Sequence, residues 1–234
     1  MSYLYIDIET LPAIGMCEAT RSKVIRASVP RNYKKPETIA KWIKEQEQAD
    51  ENAWTRTAVH PLTCRLYMVS LALDDGDVVT LFRSYNDCSG DAQRCDACER
   101  SLLEELDIGL HQALEGRRPR FVAHNGAGFD FPILRLRALK YGLLRLARLL
   151  PCDAWGKDAD DTMHMAGGRK HGAGYSLDAV AHFFGVPSKH GMGGAGVYPA
   201  WREGRHGDVA EYNVQDVEVL RGAHRWLAGV KHAG

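Results

Sequence analysis

Five side chains from three separate parts of this sequence could do chemistry together. Asp7 and Glu9 close a hydrophobic run at the N-terminus. Asp130 ends the string Asn125-Gly126-Ala127-Gly128-Phe129-Asp130, which follows a second apolar run. Tyr212 and Asp216 lie four apart near the C-terminus. Four carboxylates and a phenol, once gathered, are enough to hold two divalent cations and orient a water, which is the chemistry that cuts a phosphodiester. Ligation by oxygen alone suits Mg²⁺ or Mn²⁺ and disfavours a dedicated zinc site.

The local setting of each group follows from the pattern around it. Tyr3 to Glu9 alternates, with Leu4, Ile6 and Ile8 on one side and Tyr3, Tyr5, Asp7 and Glu9 on the other, as in a strand. Asp7 and Glu9 therefore emerge on one face, and like charges that close resist burial unless cations neutralise them. Asp130 follows a short apolar strand and opens a helix, where the helix N-terminus favours a carboxylate by about 0.3–1 kcal/mol. Gly126 and Gly128 allow a tight turn, through left-handed backbone or the close approach of a ligand. Tyr212 and Asp216 share one face of a helix. Taken singly, two strand-end acids, an N-cap aspartate and a helix contact each have an ordinary structural reading. Their conjunction is what points to a site.

That conjunction resembles the DEDDy 3′–5′ exonucleases of the ribonuclease H-like superfamily, in the version found as the proofreading domain of family B DNA polymerases. Tyr5-Ile6-Asp7-Ile8-Glu9-Thr10 looks like the first exonuclease motif, Asn125 to Asp130 like the second (Asn-x3-Phe-Asp), and Tyr212 to Asp216 like the third (Tyr-x3-Asp). The likeness is strongest at the motifs and weakest over residues 12–60 and 151–175. It implies a ribonuclease H-like mixed five-stranded sheet with helices on both faces, and a stand-alone exonuclease without a polymerase domain. It implies that Asp7 bridges two Mg²⁺ or Mn²⁺ ions, that Glu9 and Asp216 complete the first ion's shell, and that Asp130 holds the second directly or through water. Tyr212 would orient the attacking water, while Thr10, Asn125 and Phe129 would touch the substrate. The partner so implied is the 3′ end of a single-stranded nucleic acid, DNA ahead of RNA. An exoribonuclease on the same fold, or an inactive module that binds nucleic acid or protein, are the alternatives.

The elements that must position these groups can be outlined from periodicity and punctuation. Strands are expected at 3–9, 65–73, 78–82, with the hairpin signal Asp75-Gly76 between the last two, and at 120–123. A weaker strand is expected near Pro151–Ala154. Helices are expected from Pro36 to about Asp50, over 96–115, from Phe131 to about Leu149, near Asp161–Met165, and from Ser176 to Phe184. A final helix, capped by Asp208, is expected to run to about Leu227. Residues 188–206 are Gly-rich and read as a mobile loop, with Gly191 to Gly196 as a flexible flap near the substrate.

Size and composition set the outer limits. With 234 residues, 45% of them hydrophobic and 26% charged, the chain suffices for a single domain carrying a basic insertion at about 12–60. No apolar run reaches the length of a membrane span. The early acids argue for a first strand and against a signal peptide, so the expected setting is cytoplasmic. Six scattered cysteines do not make a disulfide scaffold. Cys95 and Cys98, with Cys88 nearby, are one knuckle short of a zinc site. The formal net charge of zero argues against coating long nucleic acid through bulk charge. Yet eight basic residues and one acid lie between Arg21 and Lys44, and a second basic set (Arg135, Arg137, Lys140, Arg145, Arg148) follows the middle motif. Each set is either a solvated helix face or a path for a phosphate backbone. His124 is expected to orient its turn. Tyr3, Phe129, Phe131 and Trp201 are candidates for stacking on bases.

Overall fold

The computed structural model describes residues 2–13, 18–84, 91–152, 158–167, 174–187 and 191–229. Five strands form one mixed sheet: β1 (Tyr3–Leu11), β2 (Arg65–Leu73), β3 (Val79–Phe82), β4 (Arg120–Ala123) and β5 (Ala159–Asp161), in the order β3-β2-β1-β4-β5. β1 pairs antiparallel with β2 and β2 with β3, while β1–β4 and β4–β5 run parallel. β1 is thus central, flanked by β2 and β4. β4 matches β1 only from Tyr3 to Tyr5. Beyond Tyr5, β1 runs past the end of β4, and that overhang bears the first two acids.

The alternation of β1 sorts the two faces. Leu4, Ile6 and Ile8 enter a core with α3 (Ala92–Leu114), α4 (Asp130–Lys140) and α5 (Leu144–Leu149). Tyr5 enters a second core with α7 (Leu177–Phe183) and α9 (His206–Leu227), and Leu11 a third beneath α8 (Gly194–Arg202) and α9. A bulge interrupts the β1–β2 register: Glu9 faces Met68 but Thr10 faces Leu66, which leaves Tyr67 as the extra residue. Consecutive Tyr67 and Met68 therefore both lie in the third core. The far end of α9 is tied down by polar contacts. Buried His224 makes hydrogen bonds of 3.1 Å to the Tyr5 hydroxyl and 3.1 Å to Asp160 Oδ2, and Arg120 reaches Asp160 at 2.6 Å. Burial would raise the Asp160 pKa, but hydrogen bonds from His224 and Arg120 outweigh it and hold the carboxyl at about 2.

The insertion after β1 is an arm of two helices, α1 (Glu18–Ala27) and α2 (Pro36–Thr55), closed by a 3₁₀ turn at Arg56–Val59. No residue of α2 is buried. Trp54 fastens the arm to the body: it donates to Ala13 O at 3.0 Å and meets Tyr198 of α8 edge-on at 5.1 Å.

Several expectations need correction. Helix 131–149 is two helices, because Gly142 adopts a left-handed φ of +73° that no continuing helix allows. The last strand is Ala159–Asp161; Pro151 and Cys152 are not in a strand, and residues 153–154 lie outside the described residues. Much of the Gly-rich 188–206 stretch is helix α8, which buries Val197 and Ala200 despite Pro199. The last helix starts at His206; Asp208 is not its cap but sits in its first turn, paired with Arg205 at 2.8 Å. Among the described residues no helix is long and apolar enough to cross a membrane.

The first basic set is paired internally only in part, the second for the most part. Arg21 pairs with Asp50 and Glu51, and Arg26 with Glu47, fixing α1 to α2. In the second set, Arg137 reaches Glu99, Lys140 reaches Asp96 and Arg145 reaches Asp107, all on α3. Those three pairs tie α4 and α5 to α3. Lys23, Arg31, Lys34, Lys35 and Lys44 of the arm stay exposed.

Candidate active site

The fold brings the first and third motifs together. One carboxylate oxygen each from Asp7, Glu9 and Asp216 lie within 4.8 Å of one another. Glu9 is 8% exposed and Asp216 5%, so this is a mostly buried concentration of negative charge. Such a cluster is costly in isolation and becomes favourable when a cation sits among the oxygens. No sulfur or imidazole joins it, so the donors fit a hard divalent cation.

Asp130 lies beside this cluster and not within it. At 2% exposed, it turns its carboxylate against β1, where Oδ1 accepts a hydrogen bond from Ile8 N at 3.2 Å. That N–H belongs to the overhang of β1, beyond the reach of β4. Burial pushes the Asp130 pKa up to about 7, against the pull of backbone hydrogen bonds, with Asp161 and Asp216 adding to the rise.

Tyr212 stands between the acids. Its hydroxyl hydrogen-bonds to the Asp216 carboxylate one turn on, and burial, then Glu9 and Asp216, drive its pKa far upward. The phenol is therefore a firmly neutral donor. The next residue, Asn213, is fully buried and donates from Nδ2 to Asp7 Oδ2.

The turn that carries Asp130 is built by residues with no obvious catalytic signature. Asn125, not either glycine, takes the left-handed conformation, at φ +61°. Gly126 serves close approach: a Cβ there would lie 2.5 Å from Ala123 Cβ and 2.8 Å from the Phe131 ring. Asp161 staples the turn from β5, accepting from Asn125 N at 3.0 Å, Met163 N at 3.1 Å and Ala127 N at 3.1 Å. Sequence reasoning missed Asp161 and Asn213. The first is visible only as a cap before a short helix, and the second as a polar residue in an apolar stripe.

The expected substrate contacts are mostly occupied. The Thr10 hydroxyl donates to Ala58 O at 2.6 Å, although Thr10 also lines a cleft. Asn125 contributes its backbone to the turn, and Phe129 packs on the core. Tyr3 packs on His224, Phe131 on Phe121, and Trp201 donates to Ser84 O, so none of these three is a free stacking platform. His124 bridges Thr162 and Tyr175 O, a structural role as expected. Cys95 is buried near Arg65; Cys88, His171 and His190 lie outside the described residues.

Two clefts flank α8 and reach neighbours of the acids, Tyr212 in one and Thr10 in the other. One of about 470 Å³ is lined by Tyr212, Glu211, Gln215 and Pro199; the other, of about 810 Å³, runs between the arm and α8 past Thr10, Arg56, Tyr198 and Arg202.

A family described as predicted 3′–5′ exonucleases related to the exonuclease domain of PolB matches residues 64–220. The chain belongs to this family. Its match takes in Asp130, Tyr212 and Asp216, while Asp7, Glu9 and the arm precede it. Among solved structures, the fold is similar to the family B DNA polymerase of the hyperthermophilic archaeon Pyrobaculum calidifontis, with a TM-score of 0.54 at 20% identity. That likeness covers 97% of this chain and 24% of the polymerase, so the chain spans about a quarter of that protein's length. It shows a shared α/β fold, here a mixed five-stranded sheet with helices. No curated protein sequence matches the chain.

Proposed function

We propose that this chain is a metal-dependent 3′–5′ exonuclease, a single domain plus its arm, that hydrolyses the terminal phosphodiester of single-stranded nucleic acid and releases nucleoside 5′-monophosphates. The observation that carries the reading is the convergence of Asp7, Glu9 and Asp216 within 4.8 Å, from strand and helix residues about two hundred positions apart. Membership of the PolB-related exonuclease family supports the reaction and its direction. DNA is the favoured substrate on the strength of that relationship alone.

Asp7, Glu9 and Asp216 would hold one ion and Asp130 a second, with Asp7 shared; Mg²⁺ or Mn²⁺ suits the oxygen donors. When bound, two such ions supply charge stabilisation to both the attacking and the leaving oxygen. The protein's own groups do the rest. Asp130, anchored on Ile8 N, keeps its acid at a fixed place beside β1. Tyr212, held neutral, donates its one O–H to Asp216, and its oxygen positions a water at that side of the site by accepting a hydrogen bond. The strand approaches through the cleft between the arm and α8, with Arg56 exposed on its wall and Lys34, Lys35 and Lys44 along the arm as counter-charges to phosphate.

The deciding experiment is digestion of a 5′-labelled single-stranded DNA oligonucleotide with Mn²⁺, comparing wild type with Asp7→Ala. Stepwise shortening from the 3′ end by the wild type alone is expected. No cleavage by the wild type refutes the activity, and undiminished cleavage by Asp7→Ala refutes the site. A matched RNA oligonucleotide in the same assay decides the substrate class.

A further inference from the structure

One buried residue of α9 breaks the apolar rule of its own helix. Val209, Val217 and Leu220 mark the helix's inward stripe, and none is more than 1% exposed. Asn213 occupies the same stripe, one turn from each valine, and is 0% exposed. A valine or leucine would satisfy the packing there; a primary amide brings two polar atoms that must be matched or cost stability. Only half of it is matched. Nδ2 donates to Asp7 Oδ2, while Oδ1 has no hydrogen-bond partner. Helices keep such a mismatch where something other than packing is being served.

The companion of that amide is the acid most in need of restraint. Asp7 is only partly buried and faces Glu9 and Asp216, whose charge repels it toward solvent. A donor fixed in the helix core opposes that drift. It also commits one oxygen of Asp7 to the helix.

We infer that Asn213 is a positioning residue for the cation site, setting the orientation of Asp7 through Nδ2 and offering the buried Oδ1 to a proton donor, such as a water carried in with the ion. The inference rests on the cation-dependent reading of the site. Partners of this kind, one step removed from an ion, characteristically change its affinity by about 10–100-fold when removed.

The test uses the purified full chain, with Mn²⁺ as the probe. Free Mn²⁺ is followed by electron paramagnetic resonance during titration of wild type, Asn213→Leu and Asn213→Ala, and each protein is melted without metal. Asn213→Leu fills the stripe with an apolar side chain of similar size, so its melting temperature should match or exceed that of the wild type. Its Mn²⁺ affinity should fall by about 10–100-fold. The Mn²⁺ needed for half-maximal cleavage should rise by the same factor, with the oligonucleotide KM unchanged. Should the leucine variant fail to fold, the alanine variant, which leaves room for water, carries the comparison. Affinity within twofold of wild type in a folded variant overturns the inference, as does failure of both variants to fold, which would make Asn213 a structural tie. A wild type that binds Mn²⁺ but cuts nothing sinks the proposed activity and leaves this inference standing. A wild type that binds no Mn²⁺ sinks the cation reading and the inference with it.

Discussion

Replacing Asp161 by alanine should strip three backbone N–H groups of their acceptor at once. Asn125 N and Met163 N both donate to Oδ1 at 3.0 and 3.1 Å, and Ala127 N donates to Oδ2 at 3.1 Å. The carboxylate is 7% exposed, so water replaces it poorly. At about 1 kcal/mol for each orphaned donor, the low end of the usual range because these groups are only part-buried, the loss is about 3 kcal/mol. For a chain of this size that corresponds to a fall of about 6–12 °C in melting temperature. Asp161→Asn is the informative contrast. Its single carbonyl oxygen can keep the two Oδ1 bonds, but its amide then confronts the N–H of Ala127, donor against donor. About 1–2 kcal/mol should go, and about 2–8 °C. Activity should fall further than stability in Asp161→Ala. The same turn aims Asp130 at β1, and a displacement near 1 Å at a reacting centre can cost about 10²-fold in rate. The assays are thermal melting by circular dichroism and oligonucleotide cleavage at a temperature where all proteins are folded. An alanine variant that melts within about 1 °C of wild type, or an asparagine variant that loses more than the alanine one, would refute the reasoning.

Other perturbations follow from the same structure. Gly126→Ala should lose about 1–3 kcal/mol and most cleavage activity, because its Cβ would be driven into Ala123 and Phe131; unchanged melting would show that the turn has slack. Asp216→Ala should abolish cleavage, whereas Tyr212→Phe should lower kcat by only about 10–100-fold, since Tyr212 acts on Asp216 by a hydrogen bond; equal losses would contradict that division. Lys34→Glu with Lys35→Glu should raise the oligonucleotide KM and flatten its dependence on salt without altering kcat; an unchanged KM would make the arm's lysines an ordinary solvated face. Asp160, held at about 2 against an ordinary 3.8, stabilises the fold above pH 4 and loses that contribution as pH falls from 4 toward 2. The difference in unfolding free energy between wild type and Asp160→Asn, about 1–2 kcal/mol at neutral pH, should therefore shrink over that interval, and a difference independent of pH would refute it.

The parts of the fold legible in the sequence are those whose signal is local. The alternation of Tyr3 to Glu9 sets the two faces of β1, and those faces enter different cores. Ser176 caps its helix as its type predicts, accepting from Ala179 N. The three motifs were readable because each couples a residue type to a fixed spacing. What escaped depends on partners far along the chain. Helix α8 contradicts the propensity of its glycines and proline, and exists because Val197 and Ala200 are buried against Leu11, Tyr67 and Val209. A strand as short as β5 has no period to detect, and Asp161 becomes meaningful only once it lies beside the Asn125 turn. The positive charge of the arm was overestimated because the acids that neutralise Arg21 and Arg26 sit about 25 residues later, on α2.

The arm is stitched shut at its root. Thr10 Oγ1 holds Ala58 O, the Ala13 N–H donates to Thr57, and Trp54 returns to Ala13, all within a few residues of where β1 leaves the sheet and β2 enters it. Because those two strands are antiparallel neighbours, the whole appendage is topologically one enlarged hairpin loop. On the proposed reading, the arm that would grip a strand and the carboxylates that would cut it are thereby separable parts: the loop can lengthen, shrink or change its chemistry while the acids stay where the sheet puts them.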